Sequence, residues 1–347
     1  MTRQIRPRFP ASSLPRSPVC RPLLPVPSLL LLLLSILFLT SCAHSPTPSP
    51  PSPETVRLPM GYVANVQFAP WYVAVERGYF AAEGFEVEFD YSWETDGVRL
   101  VGAGELPFAV ASGDQVLLAR SQGLPVVTVA NWYRRFPIGV VALAESGIRE
   151  PADLAGRTVG IPETFGAGYI GWRALIAAAD LPEEEIQLEV IGYTQIANLV
   201  EGRVDAAVVY ANNEPIQLEQ AGYETVLIPV ADHAPLVSNG LISNETMLEE
   251  HPERVRAFVR AFLRGLADTL ADPDAAFEIC RRYVEGLDEN EAVQRAVLEA
   301  TLDYWRGEPL GASDPLAWQT TAQAMEEAEL LTNPVDVEEA FTNEYLP

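Results

Sequence analysis

The chain has 347 residues, enough for two domains of roughly 150 residues each, and 48% of them are hydrophobic, so it can build a substantial core. Its 48 acidic residues face 23 basic ones, all of them arginine, and the sequence contains no lysine. The absence of lysine excludes a pyridoxal-phosphate Schiff base, a lysine nucleophile and a phosphate-loop lysine. The net charge of −25 argues against a nucleic-acid partner, whose phosphates are bound mainly by cations.

The first 41 residues have the composition of an export signal. An apolar run over residues 29–39 follows a basic stretch that contains Arg3, Arg6, Arg8, Arg16 and Arg21. The run is too short and too one-sided to favour a permanent membrane span. It ends in Leu39-Thr40-Ser41-Cys42, which resembles the lipobox of bacterial lipoproteins, where cleavage leaves the cysteine as the lipid-carrying N-terminus. We predict a signal peptide over residues 1–41 and lipidation, such as palmitate, at Cys42; the alternative is a signal-anchor helix with an incidental cysteine.

Residues 42–54 are rich in Ser and Pro and predict an extended tether that builds no core. Without the signal segment, 48 acidic residues remain against 18 arginines, which gives a net charge near −30. Anionic lipid surfaces repel such a domain. We therefore expect the lipid anchor, and not surface charge, to hold the domain at the cell membrane on its extracytoplasmic side.

From residue 55 onward, short apolar strands alternate with helical patterns, which is typical of an α/β fold with parallel strands. Residues 55–143 are predicted as the first part of lobe I, with strands over 56–60, 85–90, 108–111 and 126–130, helices over 68–82, 98–103 and 116–122, and an apolar run over 138–143. Residues 144–236 are predicted as lobe II, with strands over 158–161, 186–191, 206–210 and 225–229 and helices over 169–179, 195–200 and 215–221. Residues 237–347 are predicted to return to lobe I and to end in helices that pack on it. One of these helices carries a core-facing apolar stripe between Val255 and Leu270.

Cysteine and histidine are scarce in the part of the sequence that folds. Cys280 is its only thiol, so no internal disulfide is possible, and the helical apolar pattern around it predicts a buried residue. His233 and His251 stand in no spacing typical of a zinc site, so we expect no metal. His233 is the only plausible general base, and no nucleophile elbow accompanies it. We therefore expect no catalytic residues.

The chain is predicted to cross from one lobe to the other twice. We therefore predict a hinge at the crossings and a ligand cleft between the lobes. Ligands of open α/β sheets bind outside the carboxyl ends of the strands, and the loops there are rich in aromatic and amide side chains. Flat rings with a few hydrogen-bonding groups suit a planar heteroaromatic ligand. The candidate ligand-binding residues are Asn65, Gln67, Trp71, Tyr72, Trp93, Asp96, Ser112, Trp132, Tyr133, Phe165, Tyr169, Tyr210, Asn212 and Glu214. For any one aromatic residue among them, core packing is an equally good interpretation.

The segment Gly166-Ala167-Gly168-Tyr169-Ile170-Gly171 matches the dinucleotide pattern Gly-x-Gly-x-x-Gly. Its loop from the preceding strand is long, and export removes the protein from nicotinamide pools, so we do not predict a dinucleotide site. Exposed amides at such a helix start can still hold an anion or a carbonyl oxygen.

Residues 65–90 and the segment Pro151-Ala152-Asp153-Leu154-Ala155-Gly156-Arg157-Thr158-Val159-Gly160 resemble periplasmic substrate-binding proteins related to thiamine-pyrimidine synthase. The resemblance covers essentially the whole predicted mature chain. It implies a type II periplasmic-binding-protein fold, and a monomer that delivers its ligand to an ABC permease and the associated ATPase. The enzyme branch of the family uses a lysine-bound pyridoxal phosphate and a Cys-rich segment, which this sequence lacks.

Within that family, residues 91–97, 101–108 and 210–215 and Trp132-Tyr133 are most similar to riboflavin-binding lipoproteins. The resemblance implies riboflavin as a transported ligand and no resident cofactor. One alternative is a thiamine pyrimidine precursor, formyl-aminopyrimidine or hydroxymethylpyrimidine, with Glu214 pairing to its exocyclic amine. A phosphorylated pyrimidine would prefer a cationic cradle, for which Arg134 and Arg135 are the only candidate pair. A third hypothesis is an exported enzyme with His233 as its base.

Overall fold

The computed structural model describes residues 53–347, which form one compact unit. The predicted signal peptide, Cys42 and nearly all of the predicted tether lie outside the described residues. Within residues 53–347, no helix combines the length and the apolar composition needed to cross a membrane.

The first half of the described chain alternates strands and helices. Its elements are β1 (Glu54–Gly61), a 3₁₀ helix (Val66–Phe68), α1 (Ala69–Glu76), α2 (Tyr79–Ala82), β2 (Phe85–Trp93), α3 (Glu94–Gly102), β3 (Ala109–Ser112), α4 (Gly113–Ser121), β4 (Val126–Asn131) and β5 (Ile138–Leu143). Alternation continues with β6 (Thr158–Ile161), α5 (Gly166–Ala178), β7 (Gln187–Val190), α6 (Gln195–Val200), β8 (Ala206–Tyr210), α7 (Glu214–Gln220) and β9 (Thr225–Pro229). The chain ends with β10 (Asn239–Asn244), α8 (Glu245–Glu250), α9 (Pro252–Ala271), α10 (Pro273–Cys280), α11 (Glu291–Trp305) and α12 (Pro315–Glu327).

The strands form two groups, and the predicted arrangement of two α/β lobes is confirmed. In lobe I, β1 pairs with β2 in parallel and contacts β3, while β10 lies between β3 and β4. Lobe II has a single sheet in the order β7-β6-β8-β5-β9.

The prediction of parallel strands is wrong for two of them. β10 runs antiparallel to β3 and β4, and β5 runs antiparallel to β8 and β9. Both strands enter their sheet directly from the other lobe, without the helical crossover that makes neighbouring strands parallel. The two lobes therefore exchange strands, and the sheets are mixed.

The predicted end of the first part of lobe I at residue 143 is too late, because Ile138–Leu143 pairs with β8 and β9 of lobe II. The chain passes between the lobes over residues 132–137 and again over residues 230–238. An ion pair of 2.6 Å between Arg135 and Asp232 joins these two crossing segments.

The C-terminal helices do not all pack on lobe I alone. α9 and α10 lie against α1 of lobe I, and Phe258 of α9 stacks on Phe108 with ring centroids 4.2 Å apart. α11 contacts the first 3₁₀ helix and also α7, and α12 contacts both α4 and α5. Trp318 of α12 is fully buried in a core cluster that contains residues of both lobes. α11 and α12 thus contact elements of both lobes, whereas α9 and α10 pack on lobe I.

Candidate ligand-binding cleft

A cavity of about 1100 Å³, counting the space that opens to solvent, lies between the lobes. Ligand pockets for drug-sized molecules have a similar size. Lobe I contributes Met60, Gly61, Tyr62, Asn65, Gln67, Phe68, Glu94, Val110, Trp132, Tyr133 and Asn239 to its lining. Lobe II contributes Ile138, Pro162, Glu163, Phe165, Ala167, Gly168, Tyr193, Gln195, Val208, Val209, Tyr210, Asn213 and Glu214.

Aromatic rings form one buried side of the cavity and its two rims. Phe68 stacks on Trp132 with ring centroids 5.2 Å apart and an interplanar angle of 24°. At the mouth, Tyr62 of lobe I faces Tyr193 of lobe II at 6.1 Å, and both rings are exposed. Phe165, which directly precedes α5, is 58% exposed. The cavity can therefore cover a flat ligand from both lobes.

Neutral hydrogen-bonding groups lie beside the rings. Asn65 accepts a bond of 2.7 Å from the Gln67 backbone N–H and so starts the first 3₁₀ helix. The Gln67 side-chain amide in turn donates to the Tyr133 hydroxyl at 3.1 Å. This chain of bonds fixes the orientation of an amide and a phenol that both line the cavity.

Glu214, at the first position of α7, lines the cavity in lobe II. Its carboxylate accepts the Tyr210 backbone N–H at 3.0 Å and the Asn213 side-chain amide at 3.3 Å. Burial opposes the charged form and raises the pKa of Glu214 to about 7, although these bonds act in the opposite direction. Burial and the charge of Glu214 also raise the pKa of Tyr62.

Glu94, at the start of α3, lines the cavity in lobe I, and its carboxylate accepts the Ser112 backbone N–H. Burial and the neighbouring Asp114 carboxyl raise the pKa of Glu94 to about 7. Glu163 lines the cavity from lobe II and accepts a hydrogen bond from the Tyr193 hydroxyl. Within residues 53–347, none of Glu94, Glu163 and Glu214 forms an ion pair, and no arginine or histidine is among the lining residues.

The structure brings about half of the predicted site residues together. Those that line the cavity are Asn65, Gln67, Trp132, Tyr133, Phe165, Tyr210 and Glu214. They come from the loops at the carboxyl ends of strands in both lobes and from the crossing segment after β4.

Two other predicted residues, Trp71 and Tyr72, are core residues. Trp71 is fully buried and stacks on Phe262 at 3.9 Å. The Tyr72 hydroxyl forms a hydrogen bond of 3.1 Å with the Tyr91 hydroxyl, and its ring stacks on Tyr283, which follows α10.

Asn212 is buried, and its amide donates to the Thr301 hydroxyl of α11 at 2.8 Å. Ser112 is buried behind Glu94, to which its backbone donates. Tyr169 of α5 is half-buried against a core cluster and accepts a bond of 3.2 Å from Arg173. Trp93, which is 66% exposed, and Asp96 lie on the surface beside α3.

The sequence reasoning missed Glu94, Glu163, Tyr193, Gln195 and Asn239 as lining residues. A signal was present for Tyr193 and Gln195, because they follow the parallel strand β7, whose carboxyl end faces the same edge as those of β6 and β8. Glu94 follows β2 in the same manner.

Within the described residues, no group of His, Cys, Asp and Glu side chains has a geometry that could hold a metal ion. His233 is exposed on a crossing segment and does not line the cavity. Cys280 is fully buried, and burial raises the pKa of its thiol to about 12. Arg134 donates to the Ala312 carbonyl at 2.9 Å, so neither this arginine nor Arg135 forms a cationic cradle in the cavity.

Several proteins of known structure or function are similar to this chain. The riboflavin-binding protein RibY of Chloroflexus aurantiacus is 41% identical over 91% of this chain and 96% of its own. The formylaminopyrimidine-binding protein of Halalkalibacterium halodurans is 33% identical over 90% of this chain and 97% of its own. A 4-amino-5-hydroxymethyl-2-methylpyrimidine phosphate synthase of Legionella pneumophila is 24% identical over 84% of this chain and 92% of its own.

The structure resembles the periplasmic aliphatic sulphonate-binding protein SsuA of Escherichia coli, with a TM-score of 0.68. The two are 14% identical, and the match covers 83% of this chain and 97% of SsuA. The type II periplasmic-binding-protein fold that the sequence predicts is thereby confirmed. A sequence model described as NMT1/THI5 like matches residues 65–276. The chain belongs to the NMT1/THI5-like family of proteins.

Proposed function

We propose that the protein is an extracytoplasmic solute-binding protein that captures riboflavin and delivers it to an ABC permease with its ATPase. The observation that carries the ligand class is the lining of the cavity, which combines aromatic faces, amides and carboxyls and contains no arginine or histidine. Such a site suits a neutral heteroaromatic ligand. The identity of 41% to the riboflavin-binding protein RibY supports riboflavin within that class.

The parts of riboflavin match the groups that line the cavity. The isoalloxazine ring is flat and can stack on the Phe68–Trp132 pair and on Phe165, and each such contact contributes about 0.5–1.5 kcal/mol beyond area burial. The ribityl hydroxyls can donate to Glu214 and accept from the Gln67 amide. These groups are on opposite lobes, so a ligand that contacts both favours a closed arrangement.

Titration of the protein with riboflavin, followed by flavin and tryptophan fluorescence, tests the proposal. We expect saturable quenching of the flavin together with an upward shift of the melting temperature. The variant Trp132→Phe retains a ring at the stack and is expected to bind more weakly with altered quenching. Trp93→Phe, a change at an exposed ring outside the cavity, is the matched control. Neither quenching nor a thermal shift with the wild-type protein would contradict the proposal.

A second ligand, a thiamine pyrimidine precursor, is favoured by the formylaminopyrimidine-binding relative and by Glu214, which can accept from an exocyclic amine. Calorimetric titration of riboflavin in the presence and absence of formyl-aminopyrimidine separates the two. We expect riboflavin to bind with the lower Kd. A pyrimidine Kd below that of riboflavin would reassign the protein to the pyrimidine ligand.

We further propose that the protein is not an enzyme and acts as a lipid-anchored monomer at Cys42. The sequence has no lysine for a pyridoxal-phosphate linkage, and His233, the candidate base, lies outside the cavity lining. Metabolic labelling with palmitate in a bacterial host should mark the wild-type chain and not Cys42→Ser. Catalytic turnover of the bound ligand by the wild type that is lost in His233→Ala would contradict the non-enzymatic assignment.

A further inference from the structure

The acidic residues Glu94 and Asp114 of lobe I are both neighbours of Ser112 at the edge of the cavity. Glu94 begins α3 and lines the cavity, whereas Asp114, in the first turn of α4, is only 2% exposed and lies behind it. The Ser112 backbone N–H donates to Glu94, and Asp114 follows two residues later in the first turn of α4. Among the described residues, Asp114 Oδ1 and the Ser112 hydroxyl are buried without a hydrogen-bond partner.

The surroundings of this pair are acidic or neutral from every side. Glu163 and the phenols of Tyr193 and Tyr210 face Glu94 from lobe II. No arginine forms an ion pair with Glu94 or Asp114 in the part of the chain that the structure describes. Asp114 is buried and Glu94 is half-buried, and two neighbouring carboxyls without a cation cannot both ionise at low cost. The charge of one therefore favours a proton on the other.

Burial raises the pKa of Asp114 as well as that of Glu94, but the hydrogen bonds and the helix position of Asp114 favour its charged form. Asp114 accepts a bond of 3.0 Å from the Gln115 side-chain amide and lies in the first turn of α4, where the helix dipole favours a negative charge. Glu94 faces the open cavity, where a ligand can accept a hydrogen bond.

We propose that Glu94 binds the ligand as a neutral carboxylic acid that donates its proton to a carbonyl oxygen or ring nitrogen, with Asp114 as the charged partner that keeps the proton there. The proposal rests on the proposed function, because the isoalloxazine ring presents two carbonyls and unprotonated ring nitrogens along one edge. Burial and the Asp114 carboxyl raise the pKa of Glu94 to about 7, which agrees with a proton that is present below neutral pH.

Ligand affinity then depends on pH in a defined direction. Above pH 7 Glu94 loses its proton and its carboxylate repels a ligand carbonyl, so the Kd rises with pH by up to tenfold per unit. Glu214, with a pKa of about 7, titrates in the same range on the other lobe. Removing the charge of Asp114 lowers the pKa of Glu94 and moves the loss of affinity to lower pH.

The test measures the Kd for riboflavin between about pH 5.5 and 8.5 in the wild type and in Glu94→Gln, Asp114→Asn and Glu214→Gln. The range brackets the raised pKa values. In Glu94→Gln we expect the Kd to keep only the pH dependence that arises from titration of Glu214. In Glu214→Gln the pH dependence that arises from Glu94 should remain. In Asp114→Asn the rise of the Kd should begin at a lower pH than in the wild type. If Asp114→Asn instead weakened binding equally at every pH, Asp114 would have a purely structural role and its proposed effect on the Glu94 proton would be wrong. A wild-type Kd that is constant over the range, or a wild-type profile in Glu94→Gln, would overturn the proposal.

Infrared difference spectra between the wild type and each variant, recorded without ligand, test whether Glu94 carries a proton. At pH 6 we expect carboxylic-acid C=O absorption from both Glu94 and Glu214, and only the Glu94 component should be absent in Glu94→Gln. Glu250→Gln, at the exposed end of helix α8, is the matched control. If no such band depends on Glu94, the proposal is wrong whatever the ligand. If the band is present but riboflavin fails to bind at any pH, the assignment of riboflavin fails and the protonated Glu94 stands.

Discussion

The substitution Glu214→Gln is expected to change how the stability of the unliganded protein depends on pH. Glu214 is partly buried, and its pKa is about 7 in the folded protein against 4.5 as the unperturbed value. Between these two values the folded state holds a proton that the unfolded state has released. The free energy of unfolding therefore falls as the pH rises through this window.

The size of the effect follows from the shift. Each pKa unit corresponds to about 1.4 kcal/mol, so Glu214 removes at most about 3 kcal/mol of stability between about pH 4 and pH 8. Water in the open cleft screens the charge and reduces this figure. Glutamine keeps an oxygen that can accept the Tyr210 N–H but carries no titrating proton.

Urea unfolding at a series of pH values, followed by tryptophan fluorescence, measures the difference between the wild type and Glu214→Gln. Subtraction removes the contributions of Glu94 and Asp114, which both proteins retain. The free energy of unfolding of Glu214→Gln minus that of the wild type should increase by about 2–3 kcal/mol between about pH 4 and pH 8. Glu250→Gln controls for the loss of one exposed carboxylate. A difference in unfolding free energy between Glu214→Gln and the wild type that is constant with pH would show that Glu214 does not titrate with a raised pKa.

The phosphorylated flavin FMN should bind at least about tenfold more weakly than riboflavin, because the cavity lining offers carboxyls and no cation to its phosphate; equal Kd values in the fluorescence titration would contradict this. Arg135→Ala should lower the free energy of unfolding by less than about 1 kcal/mol, because its ion pair with Asp232 is exposed; a loss beyond about 2 kcal/mol would show that the crossing segments depend on it. Gly265→Ala in α9 should destabilise the protein by about 1–3 kcal/mol, since a Cβ there would lie 2.2 Å from the Pro70 carbonyl oxygen. Gly168→Ala, where the nearest atom is 3.8 Å away, should leave the melting temperature nearly unchanged.

The strands of lobe II could be read from the sequence because each is a short apolar run between turn residues. β6, β8 and β9 have the predicted bounds of 158–161, 206–210 and 225–229. The partner of β5 could not be read in this way. Its residues are buried on both faces, and such a run fits either sheet equally well, so only the long-range pairing with β8 and β9 assigns it to lobe II.

The site residues, like β5, could be predicted only in part, because sequence neighbours do not determine which side chains line the cavity. Trp71 and Trp132 have the same side chain and both follow turn residues, yet Trp71 packs on Phe262 of α9 while Trp132 lines the cavity. The choice depends on where a helix distant in sequence packs. Glu94 has the position of an ordinary helix-start carboxylate, and only the approach of α4 with Asp114 and the burial of the pair give it a raised pKa.

Whether the cavity between the lobes binds a neutral flavin can be measured by isothermal titration of the purified protein with riboflavin and, separately, with FMN. We expect saturable binding of one riboflavin per chain, weaker binding of FMN, and loss of the riboflavin heat in a variant that carries both Trp132→Ala and Glu214→Ala. No heat with riboflavin at about pH 6, where Glu94 and Glu214 hold their protons, or binding that prefers FMN, would show that the cavity does not bind a neutral flavin.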